Sequence, residues 1–181
     1  MTRAAASAAF LNQAGWGEAN RSFLAGDASD RSYDRLTRAG QTAVLMDAPP
    51  GKGDDPASFV AMARHLLDLG LSAPQILAQD LEQGFLLLED LGDRIFAREV
   101  TADPAVEPTL YAGAAQVLLH LQAAKPPMGL PDLTAAHWAV AAEFALDWYR
   151  FAITGDRCDG AEFRAILTEI LGRHADGPRV L

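Results

Sequence analysis

The period of the hydrophobic pattern changes once along this 181-residue chain, near residue 95, and that change limits what the chain can fold into. Before it, short apolar runs are separated by turn residues. After it, apolar residues recur every three or four positions almost to the end. A chain that is strand-rich first and helix-rich second belongs to the α+β class, with sheet and helices segregated. It is long enough to bury a core, as one domain or two small lobes.

In the first part, a leading helix over 3–14 stops near Gly15. Residues 21–26 (RSFLAG) read as a strand, the polar residues 27–30 as a turn, 32–36 (SYDRL) as the returning strand and 42–46 (TAVLM) as a third. Residues 47–56 hold three Pro and two Gly and read as a loop. Phe59, Met62, Ala63, Leu66 and Leu67 then fall on one helical face, and Gly70 closes that helix with Pro74 beyond. Residues 74–78 and 85–88 read as strands four and five, joined by the polar turn 79–84. The sum is five mostly antiparallel strands and one helix.

In the second part, Asp103-Pro104 or Glu107-Pro108 opens a helix with the face Tyr111, Ala114, Ala115, Leu118 and Leu121, ended by Pro126, Pro127 and Gly129. Asp132 or Thr134 caps the next, whose face is Trp138, Ala141, Phe144, Ala145, Trp148 and Phe151. Asp159 with Glu162 approaches a capping box before a third, lined by Phe163, Ile166, Leu167, Ile170 and Leu171. All three stripes are read as core. The tail Pro178-Arg179-Val180-Leu181 reads as the start of a buried strand, where a domain ordinarily ends in exposed polar residues.

Composition excludes several classes. Half the residues are hydrophobic and 22% are charged, which is neither disordered nor fibrous. A net charge of −9 argues against nucleic acid as a partner, since phosphates call for a basic face. Cys158 is the only cysteine, so there is no internal disulfide and no cysteine metal cluster, and a reducing cytoplasm fits. The most apolar stretch, 135–153, is interrupted by His137, Glu143, Asp147 and Arg150, so no membrane partner is expected. His65, His120 and His137 stand singly, without ligand spacing, and Asp156, Asp159 and Glu162 read as solvated caps rather than a calcium loop.

Three segments carry a family resemblance. Gly26-Asp27-Ala28-Ser29-Asp30-Arg31-Ser32-Tyr33 lies between strands one and two. Val44-Leu45-Met46-Asp47-Ala48-Pro49-Pro50 lies on and after strand three, and Phe85-Leu86-Leu87-Leu88-Glu89-Asp90-Leu91-Gly92-Asp93 on and after strand five. In order and spacing, over essentially the whole length, these resemble the aminoglycoside-phosphotransferase-type kinases. More narrowly, they are similar to the bacterial kinases of cell-wall recycling that phosphorylate N-acetylmuramate and N-acetylglucosamine at the anomeric hydroxyl. The resemblance implies a protein-kinase-like fold of two lobes. The small ATP-side lobe, residues 1–92, would hold a five-stranded antiparallel sheet and one helix; residues 93–181 would form part of a mostly helical large lobe. It also implies ATP and Mg²⁺ as cofactors and a sugar as acceptor.

Each motif has a physical reading. Backbone N–H groups in a tight turn hold the phosphates of ATP. The resemblance gives that task to the turn after Gly26, with the Ser29 hydroxyl as an added donor and Arg31 as a counter-charge; spacing alone favours a plain polar hairpin turn, and the resemblance reverses that. The segment 86–92 resembles the connection between lobes, where the Glu89 carbonyl and the Leu91 N–H would meet an adenine edge and Gly92 would turn the chain away. The alternative there is a strand followed by a helix capped by Asp90 or Asp93.

The departures are as informative. Strand three carries Val44-Leu45-Met46-Asp47 where the kinase pattern has a Lys, and the helix over 59–69 has no Glu to pair with one. Lys52, in the next loop, is a candidate replacement or a solvated loop lysine. The only Asn residues are Asn12 and Asn20, so the family's catalytic loop, H-x-D-x-x-x-x-N, has no counterpart; His174-Ala175-Asp176 matches its start, but Leu181 stands five residues after Asp176. No catalytic or metal-binding residue is assigned, and the resemblance places both after Leu181. Two classes of function follow. The chain is part of an ATP-dependent sugar phosphotransferase, inactive alone, or it is a non-catalytic nucleotide-binding or interaction module, a pseudokinase-like fragment. Either way, apolar helix faces are left where the rest of the large lobe would pack, and self-association through them is expected.

Overall fold

The computed structural model describes residues 2–26, 30–53, 55–130 and 133–174. The chain divides into two compact units, residues 1–119 and 120–181.

The first unit is built on one five-stranded antiparallel sheet in the order β1-β2-β3-β5-β4. The strands are β1 (Asn20–Gly26), β2 (Ser32–Arg38), β3 (Gln41–Asp47), β4 (Ile76–Asp80) and β5 (Phe85–Glu89). β3 and β5 are central and buried on both faces, which is why they read as continuous apolar runs rather than alternating ones. Helix α1 (Arg3–Gln13) lays Phe10 and Leu11 on one face of the sheet, against Leu36, Leu45, Phe85 and Leu87, with Phe10 stacked on Phe85 at 5.6 Å. Helix α2 (Pro56–Asp68) covers the other face through Val60, over Val44, Met46, Leu86 and Leu88. Each large apolar side chain buried this fully contributes roughly 1.5–3 kcal/mol.

Both helices begin as their sequences dictate. The Thr2 hydroxyl accepts from the Ala5 N–H at 3.3 Å, and the Asp55 carboxylate accepts from the Ala57 N–H at 2.8 Å with Pro56 in the first helical turn. The sheet therefore arises as expected, with β4 displaced two residues downstream of 74–78, to Ile76–Asp80, because its ladder to β5 starts only at Ile76. After β5, α3 (Phe96–Ala102) is a helix the periodicity did not mark. Its cap position is Ile95, without a side-chain bond, so neither Asp90 nor Asp93 is a helix cap. Asp103 instead caps a 3₁₀ turn, Pro104–Val106, that runs into α4 (Glu107–Ala123). Phe96 meets Tyr111 edge-on at 5.7 Å.

The second unit contains α5 (Ala135–Ala142), a π-helical turn (Ala145–Arg150), α6 (Phe151–Thr154) and α7 (Ala161–Gly172). Thr134 and His137 form a capping box at the start of α5; Asp132 lies outside the described residues. The expected box before α7 does not form. Asp159 accepts from the Ala161 N–H at 3.0 Å, Gly160 is the cap, and Glu162 does not reach back. The tail 178–181 lies outside the described residues.

The helical stripes expected as core are not core. Tyr111, Leu118, Trp138, Phe144, Trp148, Ile166 and Ile170 are exposed, and among the described residues of the second unit only Ala139 and Gly160 are buried. An amphipathic helix buries its stripe only if a second layer is present to receive it. Here α5 packs on α7, and among the described residues little else covers either.

Candidate functional site

The register of the sheet sets two places apart. At one end, Asp47 of β3 pairs with Ser32 and with Phe85, so Gly26 and Ser32, the facing ends of β1 and β2, stand at the end of β3. At the other end, Ala43 pairs with Leu36 and with Glu89, where β5 runs into the segment 90–93. Four residue steps of strand separate the two, roughly 14 Å, about the span of an extended nucleoside triphosphate.

At the turn end, Gly26 pairs with Ser32 and Asp30 adopts a left-handed backbone, φ 59°. A Cβ on Gly26 would lie 3.8 Å from the Arg31 carbonyl oxygen and 3.9 Å from the Phe23 ring, ordinary contact, so packing does not require glycine there. Arg31 is half-buried; Ser29 lies outside the described residues.

Beside the turn, β3 offers no cation. Met46 is fully buried under α2, and the Asp47 carboxylate is taken by Arg3 of α1, whose Nη2 stands 2.6 Å from Oδ1. Lys52 is exposed; its N–H donates to the Pro49 carbonyl at 3.2 Å, and with Gly51, Gly53, Leu81 and Gly84 it lines an open cavity of about 210 Å³. The structure thus brings Lys52 to the turn end of the sheet, on the loop after β3, rather than onto the strand.

At the other end, Glu89 is fastened to Gln75 twice: its N–H donates to the Gln75 carbonyl at 2.9 Å, and its carboxylate accepts from the Gln75 N–H at 3.1 Å. Leu91 is exposed, and Gly92 takes the left-handed conformation, φ 79°, that turns the chain away. Gly26, Arg31 and Lys52 therefore group at one end, and Glu89 and Leu91 at the other.

One group escaped the sequence reading. Arg35, on the same face of β2 as Val44 of β3 and Leu88 of β5, reaches the segment 90–93 after β5 and grips two carboxylates. Its Nη2 donates to Asp90 Oδ1 at 3.1 Å and to Asp93 Oδ1 at 2.8 Å, and its Nη1 to Asp93 Oδ2 at 2.9 Å. Its Nε stands 2.8 Å from Asp90 Oδ2, in ion-pair contact but off hydrogen-bond geometry. Asp90 also accepts from the Gly92 N–H at 3.0 Å and from Thr42. Hydrogen bonding to the two carboxylates raises the Arg35 pKa above its ordinary value. Burial pushes the Asp90 carboxyl up, but the bonds from Gly92, Arg35 and Thr42 outweigh it and the net shift is downward; the Arg35 bond lowers Asp93 as well. The available signal was an Asp-x-x-Asp pair directly after a buried strand, facing an Arg on a neighbouring strand whose register was not yet known.

No three His, Cys, Asp or Glu side chains converge as a cation site among the described residues. No described helix is long and apolar enough to cross a membrane.

A family model described as phosphotransferase enzyme family (APH) matches residues 20–181. The chain is 38% identical over 151 residues to the N-acetylmuramate/N-acetylglucosamine kinase of Caulobacter vibrioides, a match covering 69% of this chain and 41% of that protein. It is 37% identical over 137 residues to the protein of that name from Pseudomonas putida (74% and 40%), and 34% identical over 175 residues to that from Pseudomonas aeruginosa (92% and 50%). The chain spans 40–50% of these relatives' lengths.

Proposed function

This chain belongs to the phosphotransferase enzyme family, and we propose that it is the nucleotide-side portion of an ATP-dependent sugar kinase. ATP would lie along the sheet, its adenine edge at the Glu89 carbonyl and Leu91 N–H and its phosphates near the turn that holds Gly26, Ser29 and Arg31, with Lys52 on the adjoining loop. The observation that carries this reading is the sheet register, which sets those two places one nucleotide length apart. Residues 1–92 would be the ATP-side lobe and 93–181 part of the large lobe. The relatives' names point to an amino sugar, N-acetylmuramate or N-acetylglucosamine, as acceptor, and so to cytoplasmic recycling of cell-wall sugars.

Phosphoryl transfer needs a base at the acceptor hydroxyl and ligands for the metal. Neither the catalytic-loop pattern nor a cation ligand set is found among the described residues. The 181-residue chain by itself would therefore bind nucleotide without transferring phosphate. The exposed faces of α4, α5 and α7 would receive the remainder of the large lobe and, without it, self-associate.

Incubating the chain with γ-labelled ATP, Mg²⁺ and either sugar tests the catalytic part. No labelled sugar phosphate above background is expected; turnover proportional to chain concentration would contradict it.

A further inference from the structure

We propose that Arg35 is a positioning residue for the nucleotide: by gripping Asp90 and Asp93 together, it holds the linker between them in the one pose that presents a purine-binding edge. The proposal rests on the reading above, that the purine meets the backbone at Glu89 and Leu91.

The geometry is specific to this task. The two carboxylates flank Leu91 and Gly92, so one guanidinium fixes both ends of the stretch that carries the Leu91 N–H. The planar fork of Arg serves two carboxylates at once, which a lysine ammonium, a single point charge, does poorly. The two arms differ in environment. The Asp90 side chain is 6% exposed and anchored further by Gly92 and Thr42; that of Asp93 is 53% exposed and depends on Arg35. Asp90 is therefore the fixed anchor and Asp93 the arm that salt screens. A linker held in its binding pose before the ligand arrives spares the ordering cost on binding. Arg35 lies one residue from Leu36, the β2 position level with Glu89, and three residues, roughly 10 Å, from Ser32 at the β1–β2 turn, and its guanidinium is bonded to Asp90 and Asp93, so it acts on the purine and not on the phosphates.

That separation supplies the test. ATP and adenosine are titrated into the 181-residue chain and into Arg35→Gln, Arg35→Lys and Asp93→Asn, and amide exchange over 90–93 is followed without nucleotide. Arg35→Gln should lose about tenfold in affinity for ATP and for adenosine alike, Asp93→Asn about threefold, and Arg35→Lys should fall between wild type and Arg35→Gln. Exchange at 90–93 should quicken while β3 and β5 stay protected. A loss confined to ATP would make Arg35 a phosphate contact and overturn the proposal; so would unchanged affinity or unchanged exchange. If Arg35→Gln does not fold, Asp93→Asn, at an exposed carboxylate, carries the same comparison. Wild-type chain that binds neither ligand overturns the nucleotide reading and, with it, the purine role. Wild-type binding with indifferent variants overturns the Arg35 proposal alone.

Discussion

Arg3, in the first turn of α1, and Asp47, at the end of β3, form an ion pair of 2.6 Å that joins the leading helix to the centre of the sheet. The Arg3 guanidinium also donates to the Gln83 carbonyl at 2.5 Å and lies over the Phe85 ring at 3.9 Å. Asp47 is nearly buried, so removing its partner leaves a carboxylate that water reaches poorly. Arg3→Ala is expected to cost about 2–3 kcal/mol, read as a lower urea midpoint at unchanged slope. Arg3→Lys should recover part of it; an unchanged midpoint for Arg3→Ala would mean that α1 docks by its apolar face alone.

Two glycines separate collision from conformation. Gly84, φ 73°, has the Ala48 carbonyl oxygen where a Cβ would go, and its own carbonyl accepts from the Ala48 N–H at 2.9 Å. Gly92, φ 79°, has open space around it. Gly84→Ala should destabilise by about 3 kcal/mol or more, as the β4–β5 turn separates from the loop after β3. Gly92→Ala should cost only about 1–2 kcal/mol, the left-handed backbone penalty. Equal losses in chemical denaturation would contradict the packing assigned to Gly84.

The network of Arg35 with Asp90 and Asp93 makes a prediction in pH. Asp90 and Asp93 are both held below their ordinary value of 3.8 in the folded chain. A group whose folded pKa is depressed adds stability that is complete above its unfolded pKa and disappears as pH falls through the folded one. Wild-type stability should therefore drop more steeply below about pH 4 than that of Arg35→Gln, whose two carboxylates lose the partner they share. Parallel curves from pH 6 to the acid limb would show that the network contributes nothing to folding.

The exposed aromatics of the second unit predict solution behaviour. Trp148 and Tyr149 are 67% and 71% exposed, and Phe144 is exposed beside them. Patches of this kind bind hydrophobic dyes and associate. The double variant Trp148→Ser, Tyr149→Ser should lower dye fluorescence and concentration-dependent light scattering without lowering the unfolding temperature. A fall of several degrees in that temperature would place both rings in a packed core.

The sheet was legible because each of its signals is local. The apolar runs at β3 and β5, the Pro- and Gly-rich loop before α2 and the one-faced pattern of α2 each specify their own element. The capping of α5 by Thr134 was local as well. What could not be read depended on partners distant in sequence. The stripes Tyr111–Leu118 and Trp138–Trp148 have the period of a core helix, but period reports only that a face is apolar, not that a layer covers it. Arg35 carried no mark in its own strand, since its role appears only when β2 lies two strands from β5 and brings residue 35 to residues 90 and 93. Asp159 had the composition of a capping box, but Gly160 took the cap position.

Thermal unfolding of the 181-residue chain in a titration of ATP tests the central claim, that this sheet and its linker form a nucleotide cradle. At ATP concentrations about tenfold above Kd, binding to the folded chain alone should add about 1.4 kcal/mol and raise the unfolding temperature by a few degrees. Adenosine should give a smaller rise and inorganic triphosphate alone the least. An unfolding temperature that stays fixed up to ~10 mM ATP, in a chain that unfolds cooperatively, would contradict the account.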